Sequence, residues 1–385
     1  MIKNFLPKQY AKDKKFYIKH NYLSEQFKDY NLILNKIKKV IKNNDFTLGT
    51  EVDVFENNIK KLLKQKYVVA VGSGTDALML SLKCLNVREG DEVITTPYTF
   101  YATIGAIVTA GAKPIFVDVN NDYNIDPKKI EEKITKNTKA IMPVHWSGKV
   151  CEMGKILKIS RKYKIPIVED SCHGILAKYK NKFAGSFGDF GCFSLHPLKN
   201  LNVWGDGGFV IIKKKEHFKK MMLLRNHGLE GRNKNLLFGY NSRLDTLQAC
   251  VANHLFKKIK FITNMRIKNA IKFDNGLKEI DGLIVKKRHK DFKEVFHLYE
   301  FRVENFKLRN NLVNYLIKHK IDAKIHYPVP MHLQPASKIY KYKKGDFPNA
   351  EKIANSTISL PVHEFVTNSQ SKHIIQTIKK FFYES

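Results

Sequence analysis

A chain of 385 residues is long enough to bury a large core and to form two domains, and its 43% hydrophobic content is typical of globular proteins. The formal net charge is +32, yet the lysines are spread over the whole sequence, with no arginine-rich helix and no zinc-finger spacing. Such charge supports only non-specific attraction of polyanions, so nucleic-acid binding is not predicted as the main role. No apolar segment reaches the length of a membrane span.

Two further features predict a cytoplasmic protein. Residues 1–8 are basic but have no apolar stretch of the kind found in signal peptides. The cysteines are widely separated and form no CxxC pair, which indicates reduced thiols used as small apolar residues. They are Cys84, Cys151, Cys172, Cys192 and Cys250.

Seven short apolar runs between residues 66 and 213 alternate with segments of helical pattern. Because most runs are apolar throughout, they predict a mostly parallel sheet that is covered on both faces, within an α/β domain. Helical segments are predicted ahead of the first run. The runs are residues 67–71, 92–95, 114–118, 139–144, 166–169, 191–194 and 208–212.

The character of the sequence changes beyond residue 245. Lysine-rich helical segments come first, followed by a strand-like stretch at 297–303 and another helix. We therefore predict a large domain over residues 1–245 and a smaller α+β domain over residues 246–385.

The segment GSGTDA, residues 72–77, lies between the first predicted strand and a helix. Its glycines let the backbone approach a phosphate closely, its hydroxyls can donate hydrogen bonds, and a helix amino terminus attracts anions. The segment also fits the GxGxxA dinucleotide fingerprint, but the acids at 91–92 precede the second strand instead of following it. A phosphate cradle is favoured, with dinucleotide binding and a purely structural turn as the alternatives.

Asp170 and Lys199 each follow a predicted strand. Asp170 ends the run VED, where it is either a helix N-cap or the partner of a protonated ring nitrogen. Lys199 ends the segment FSLHPLK, in which Ser194 can donate to a phosphate. A lysine that binds the aldehyde covalently and an aspartate that keeps the pyridine nitrogen protonated are the two side chains that pyridoxal 5'-phosphate (PLP) chemistry needs most. The pair predicts a PLP site.

Two other segments are weaker indications. The segment TFYAT, residues 99–103, follows the second predicted strand, where an aromatic side chain either stacks on a flat ring or belongs to the core. His326, Tyr327 and His332 lie close together in the sequence but do not form a metal-ligand set with the usual spacing. No metal site is predicted.

Taken in order, the motifs resemble those of the DegT/DnrJ/EryC1/StrS sugar aminotransferases, which are PLP enzymes of fold type I. The resemblance runs over residues 46–361 and implies a mostly parallel seven-stranded sheet in the large domain and a smaller carboxyl-terminal α+β domain. The motifs are GSGTDAL, GDEV, TFYAT, VEDSCH, FSLHPLK, GDGG, YNSRLDTLQA and HYPVPMH.

This resemblance assigns roles to individual residues. Lys199 matches the lysine that carries PLP, and Asp170 matches the partner of the pyridine nitrogen. Phe100 matches the aromatic that stacks on the ring, and His173 falls where family members carry Gln or His near the ring hydroxyl. The residues that match the phosphate cradle are Gly74, Thr75 and Ser194.

The resemblance also implies partners and substrates. Asn241 matches an asparagine that reaches the phosphate of the neighbouring subunit, which implies a homodimer with shared active sites. His326 and Tyr327 lie in a loop that borders the active site in this family, so they are either substrate-side or structural residues. A lysine at 199, where sugar dehydratases of the family carry histidine, implies transamination from glutamate to a nucleotide-linked keto sugar.

Several alternatives remain open at this point. The pattern around Lys199 looks more like members that act on 3-keto sugars, with a 4-keto sugar as the alternative. Asn202 and Trp204 depart from the small residues expected there, which leaves room for a different substrate. Two other hypotheses are a non-catalytic, PLP-binding regulatory protein and a polyanion-binding protein whose affinity survives physiological salt.

Overall fold

Each of the seven predicted runs contains or overlaps a strand in the computed structural model, which describes residues 16–20 and 22–383. Residues 1–8, which carry the prediction on signal peptides, lie outside the described residues. The strands are β1 (Tyr67–Val71), β2 (Glu92–Thr95), β3 (Lys113–Phe116), β4 (Thr138–Ile141), β5 (Val168–Asp170), β6 (Lys178–Tyr179), β7 (Lys182–Phe183), β8 (Phe190–Ser194), β9 (Gly208–Ile212), β10 (Leu229–Glu230), β11 (Lys234–Asn235), β12 (Leu283–Val285), β13 (Phe292–Lys293), β14 (Tyr299–Val303) and β15 (Thr357–Leu360).

Helices occur along the whole described chain. Within the two described ranges, no helix has both the length and the apolar character required to cross a membrane. The α-helices are α1 (Leu23–Gln26), α2 (Tyr30–Lys42), α3 (Thr50–Leu63), α4 (Gly74–Cys84), α5 (Tyr101–Thr109), α6 (Met153–Tyr163), α7 (Lys215–Leu224), α8 (Thr246–Phe256), α9 (Ile259–Leu277), α10 (Phe306–Lys318), α11 (Pro348–Ser356) and α12 (Asn368–Tyr383).

The seven strands divide between two sheets. The strand order is β1-β9-β8-β5 in the larger sheet and β3-β2-β4 in the smaller one. Strand β9 runs antiparallel to both of its neighbours, whereas β5 and β8, β2 and β3, and β2 and β4 pair in parallel. The prediction of one mostly parallel seven-stranded sheet is therefore not confirmed, because the sheets are smaller and the larger one is mixed.

The facing edges of the two sheets, β4 and β5, are connected by isolated parallel bridges, one of them between Ile141 and Ile167. Pro143 and Pro166 lie in this seam. Their carbonyl oxygens accept hydrogen bonds from the Asp170 N–H at 2.9 Å and the Ile141 N–H at 3.0 Å. Proline has no N–H to donate in return, so two donors of a continuous ladder are missing at the seam.

The larger sheet separates two hydrophobic core clusters. On β1, Val68 and Ala70 enter one cluster together with residues of α3, while Val69 and Val71 enter the other together with residues of α4. All four side chains are fully buried. The sheet is thus covered on both faces, as the continuous apolar runs predicted.

The carboxyl-terminal part contains an antiparallel sheet of order β12-β14-β15, and residues of α10 and α12 pack beside it in a third core cluster. Helix α9 joins the cores, because Ile259 and Ile262 belong to the cluster under the larger sheet and Phe273 and Leu277 to the third. The division of the chain at residue 245 stays a prediction.

Glu169, next to Asp170 on β5, fixes the loop that leads into β8. Its fully buried carboxylate accepts hydrogen bonds from the backbone N–H of Gly185 at 2.9 Å and from those of Phe187 and Gly188 at 2.6 Å. The Nε2 atom of His145 lies 2.8 Å from the same carboxylate. This carboxylate therefore satisfies three buried backbone donors at the seam between the sheets.

Replacing Glu169 with glutamine is expected to lower the free energy of unfolding by about 3 kcal/mol, because the amide NH₂ would face buried N–H donors. Urea unfolding of both proteins measures the difference. Glu152→Gln, which changes a half-exposed carboxylate paired with Lys155, is the matched control and should change the value by less than about 0.5 kcal/mol. Equal midpoints for Glu169→Gln and the wild type would contradict the structural role.

Candidate active site

A cavity of about 350 Å³ lies where β5 and β8 end and α4 begins. Every residue of the predicted site except Asn241 lines this cavity, although these residues are spread over more than 250 positions of the sequence. The predicted residues that line it are Gly74, Thr75, Phe100, Asp170, His173, Ser194, Lys199, His326 and Tyr327.

Lys199 lies in the loop that connects β8 to β9, and its backbone N–H donates to the carbonyl of His196 at 2.8 Å. Burial lowers the pKa of Lys199, while Cys172 and Asp170 raise it to a smaller extent. A lowered pKa increases the fraction of neutral amine, which is the form that reacts with carbonyl groups.

Asp170 is 5% exposed at the end of β5. The hydroxyl of Thr103 donates to its Oδ2 at 2.8 Å, and the backbone N–H of Cys172 donates to its Oδ1 at 3.2 Å. No helix begins at this aspartate, so the N-cap alternative is wrong. The carboxylate is instead held in a fixed orientation toward the cavity.

The amino terminus of α4 forms one wall of the cavity. Ser73 caps this helix by accepting a hydrogen bond from the Asp76 N–H at 3.0 Å. A β-carbon at Gly74 would lie 2.6 Å from the β-carbon of Ser194, so only glycine lets the helix approach β8 this closely. The free N–H groups of the first turn and the adjacent hydroxyls together suit an anion.

The dinucleotide alternative does not fit this arrangement. In a dinucleotide-binding unit the first two strands are neighbours in one sheet. Here β1 is an edge strand that pairs with β9, and β2 belongs to the other sheet. We therefore interpret the glycine-rich segment as a cradle for a single phosphate.

Neutral histidines line the remaining walls. His173 accepts a hydrogen bond from the Ser147 N–H through Nδ1 at 3.2 Å, so its Nε2 carries a proton that it can donate. Its ring lies 4.2 Å from that of His297, centroid to centroid, and burial holds the pKa of both well below the usual range. Burial also lowers the pKa of His326 to about 3.

Aromatic side chains stand at one end of the cavity. Phe100 is 44% exposed, and its ring lies 5.7 Å from that of Tyr327. Trp146 lies behind them and is fully buried, with its indole N–H donating to Glu300 at 2.9 Å. An exposed ring at a cavity wall can stack on a flat ligand.

The cavity also contains residues that sequence motifs did not indicate. His20 and Tyr22 come from the amino-terminal segment, Arg266 from α9 and His363 from the segment after β15. Their spacing in the sequence contains no signal, because only the fold brings these segments together. Thr103, which contacts Asp170, lies within the TFYAT motif, so the sequence could have indicated it as a site residue.

His332 and Asn241 lie away from the cavity lining. His332 Nε2 is 3.0 Å from a carboxylate oxygen of Glu351, and the described ranges contain no group of three or more His, Cys, Asp or Glu residues placed to hold a metal ion. Asn241 is exposed and forms an isolated bridge with Asn226.

These features fit PLP. The cavity offers a buried carboxylate for a ring nitrogen, a lysine of lowered pKa for an aldehyde, and a helix amino terminus for a phosphate. Gly74 supports the fit independently, since its missing side chain lets the amino terminus of α4 lie directly against Ser194, a residue of the predicted phosphate cradle. The arrangement is that of a PLP-dependent enzyme.

Comparison with known proteins leads to the same class. The sequence matches the DegT/DnrJ/EryC1/StrS aminotransferase family over residues 28–379, and the chain belongs to this family. Solved structures of similar proteins contain the cofactor in its PLP or PMP form. The protein is therefore a PLP-dependent enzyme, as the sequence motifs predicted.

Individual relatives are similar over nearly their whole length. The chain is 36% identical to a pleiotropic regulatory protein of Geobacillus stearothermophilus, covering 94% of this chain and 97% of the relative. It is 35% identical to dTDP-3-amino-3,6-dideoxy-alpha-D-galactopyranose transaminase of Aneurinibacillus thermoaerophilus, covering 91% and 95%. The structure of DesV from S. venezuelae, in complex with a ketimine intermediate, superposes with a TM-score of 0.90 at 30% identity, covering 94% and 97%.

Proposed function

We propose that this enzyme transfers the amino group of L-glutamate to the ketone at C3 of a nucleotide-linked sugar. The observation that carries the proposal is the meeting of Lys199, Asp170 and the amino terminus of α4 in one cavity. The name of the transaminase from A. thermoaerophilus, which specifies a dTDP-linked 3-amino sugar, supports the substrate class and the ring position.

PLP, when bound, supplies an aldehyde that accepts the amino group and a ring that takes up electron density. In the proposed reaction, Lys199 would hold the cofactor at its aldehyde through Nζ in the resting enzyme, and it would be free as a neutral amine once an amino donor is bound. The released neutral amine then takes the proton from the α-carbon of the donor as a general base. When the keto sugar enters, the same amine, then protonated, would deliver a proton to the carbon that carried the ketone.

Asp170 and His173 would act on different atoms of the ring in this proposal. Thr103 and the backbone N–H of Cys172 orient the Asp170 carboxylate, which can keep a proton on the pyridine nitrogen by its negative charge. The protonated Nε2 of His173 can donate to the ring oxygen. Phe100 is the proposed stacking partner of the ring.

The remaining predicted residues bind phosphate and sugar in this proposal. Thr75 and Ser194 supplement the N–H groups of α4 at the cofactor phosphate. His326 and Tyr327 are on the substrate side. Asn241 is exposed and does not line the cavity of its own chain, which supports the proposal of a homodimer in which it reaches the cofactor phosphate of the partner subunit.

The loading of PLP is expected to depend on pH through Lys199. Only the neutral amine reacts with the aldehyde. Burial lowers the pKa of Lys199 below the ordinary value of about 10.4. The rate of PLP loading should therefore reach its plateau at a lower pH than the rate for an exposed lysine. The measurement is the rate of absorbance change after mixing PLP with cofactor-free protein at a series of pH values, with Nα-acetyl-lysine as the reference. A midpoint at or above that of the reference would contradict the lowered pKa.

One other candidate function has specific support. The similarity to a protein named as a pleiotropic regulator keeps a PLP-binding regulatory role as the second candidate. A 4-keto sugar remains the alternative acceptor. The test offers dTDP- and UDP-linked 3-keto and 4-keto sugars, each with L-glutamate, and identifies amino sugars by mass spectrometry. A 3-amino product supports the proposal, a 4-amino product corrects the ring position, and no product with any acceptor overturns the proposal.

A further inference from the structure

Asn202 and Trp204, which depart from the small residues expected after Lys199, contact the last residue of α1 and the residue that follows it. The fully buried side chain of Asn202 donates through Nδ2 to the carbonyl oxygen of Lys199 at 2.9 Å and to Gln26 Oε1 at 2.8 Å. The ring of Trp204 packs edge-on against Phe27, with centroids 5.6 Å apart. The loop of the catalytic lysine is thus docked on the amino-terminal segment.

The hydrogen-bond chain continues beyond Gln26. Its Nε2 donates to Glu364 Oε1 at 2.9 Å, and Glu364 Oε2 lies 3.7 Å from Arg266 Nε. Arg266 in turn donates to the hydroxyl of Tyr22. Gln26 is 4% exposed and Glu364 is 6% exposed, so water cannot readily replace a missing member.

The order of donors and acceptors in this chain is determined by its charged end. The carboxylate of Glu364 can only accept, so Gln26 must direct its NH₂ group toward it and its oxygen toward Asn202. Asn202 must then present its NH₂ group to both Gln26 and the main chain of Lys199. A change at any member therefore disturbs the contact to the lysine.

We propose that Asn202, Gln26 and Glu364 are positioning residues that hold the main chain at Lys199 through this buried hydrogen-bond chain. None of them is proposed to touch the reacting atoms. The proposal rests on the role proposed for Lys199. It predicts that the order of the loop at 196–204 depends on α1 and on the segment after β15, which are remote from it in the sequence.

The test uses a pair of nearly isosteric exchanges in the full chain. Gln26→Glu places two carboxylates against each other and removes the donor to Glu364. Gln26→Glu combined with Glu364→Gln keeps an acceptor toward Asn202 and restores a donor between the two side chains. Glu25→Gln, on the same helix but exposed, is the matched control.

Two readouts are measured. Hydrogen exchange of the amides at 196–204 in the cofactor-free protein reports order independently of activity, and the single-turnover rate with L-glutamate reports the effect on Lys199. Gln26→Glu is expected to increase exchange and lower the rate by about tenfold each, the equivalent of one hydrogen bond, while the double variant should recover most of both. Apparent affinity for L-glutamate should change little.

Unchanged exchange and rate in Gln26→Glu, or a double variant no better than the single one, would overturn the proposal. If Gln26→Glu does not fold, Gln26→Leu serves instead, with the same exchange result expected and unchanged exchange again overturning it. A wild-type protein that does not react with L-glutamate contradicts the proposed function, whereas the exchange measurement still decides on the positioning role.

Discussion

Replacing Lys199 with alanine is expected to lower amino transfer by about 10³-fold or more while the protein stays folded. The alanine removes both the amine that holds PLP covalently and the base that moves the α-proton of the donor. The Lys199 side chain is partly buried and lies at the cavity wall. Its truncation to alanine therefore leaves space in the cavity and does not disrupt the hydrophobic core. The measurement is the single-turnover rate with L-glutamate, together with circular dichroism.

A second readout separates the covalent role from the proton-transfer role. After borohydride reduction in the presence of PLP, the wild-type protein should gain the mass of one reduced cofactor on the peptide that contains Lys199, and Lys199→Ala should not. Lys213→Ala, at an exposed position after β9, is the control and should behave like the wild type. Substantial residual transamination by Lys199→Ala would remove this residue from its proposed role.

Replacing Asp170 with asparagine is expected to lower the rate by about 10² to 10⁴-fold while PLP still binds. Asparagine has nearly the same shape and keeps one oxygen for the Thr103 hydroxyl, so the fold should persist. It lacks the negative charge that favours a protonated ring nitrogen, and its NH₂ group would face the Cys172 N–H. The ring should therefore withdraw electrons less strongly, although the cofactor still binds.

The rate is measured under single-turnover conditions with L-glutamate, and PLP affinity by titration of the cofactor-free protein. Asp281→Asn changes an exposed carboxylate and is the control. A rate within about threefold of the wild type would contradict the proposed electronic role of Asp170, whereas loss of PLP binding would indicate a mainly structural one.

Much of the fold and of the site could be predicted from the sequence, because local patterns encode them. Continuous apolar runs indicated the buried strands, and Asp170 and Lys199, which each follow a predicted strand, indicated a PLP site. The division into two sheets could not be predicted from these runs. The division depends on which backbone groups lie opposite Pro143 and Pro166 at the seam. The pattern of apolar residues along a strand does not contain this information.

The direction of β9 and the cavity residues that belong to no motif could also not be predicted from the sequence. An apolar run has the same appearance in either direction, so the antiparallel return after the Lys199 loop is a property of the three-dimensional path. His20 lies 179 positions before Lys199 in the sequence and Arg266 lies 67 positions after it, and neither residue belongs to a motif. The sequence showed that Asn202 departs from the small residues expected after Lys199, but its hydrogen bond with Gln26 became evident only in the structure.

The role of Lys199 is tested most directly by the visible absorption spectrum of the purified protein with PLP, recorded before and after the addition of L-glutamate. We expect that PLP bound to Lys199 gives a long-wavelength band, and that L-glutamate converts this band to the spectrum of the amine form of the cofactor. A band that forms but does not convert would contradict L-glutamate as the donor. Absence of the band in wild-type protein would contradict the assignment of Lys199 itself.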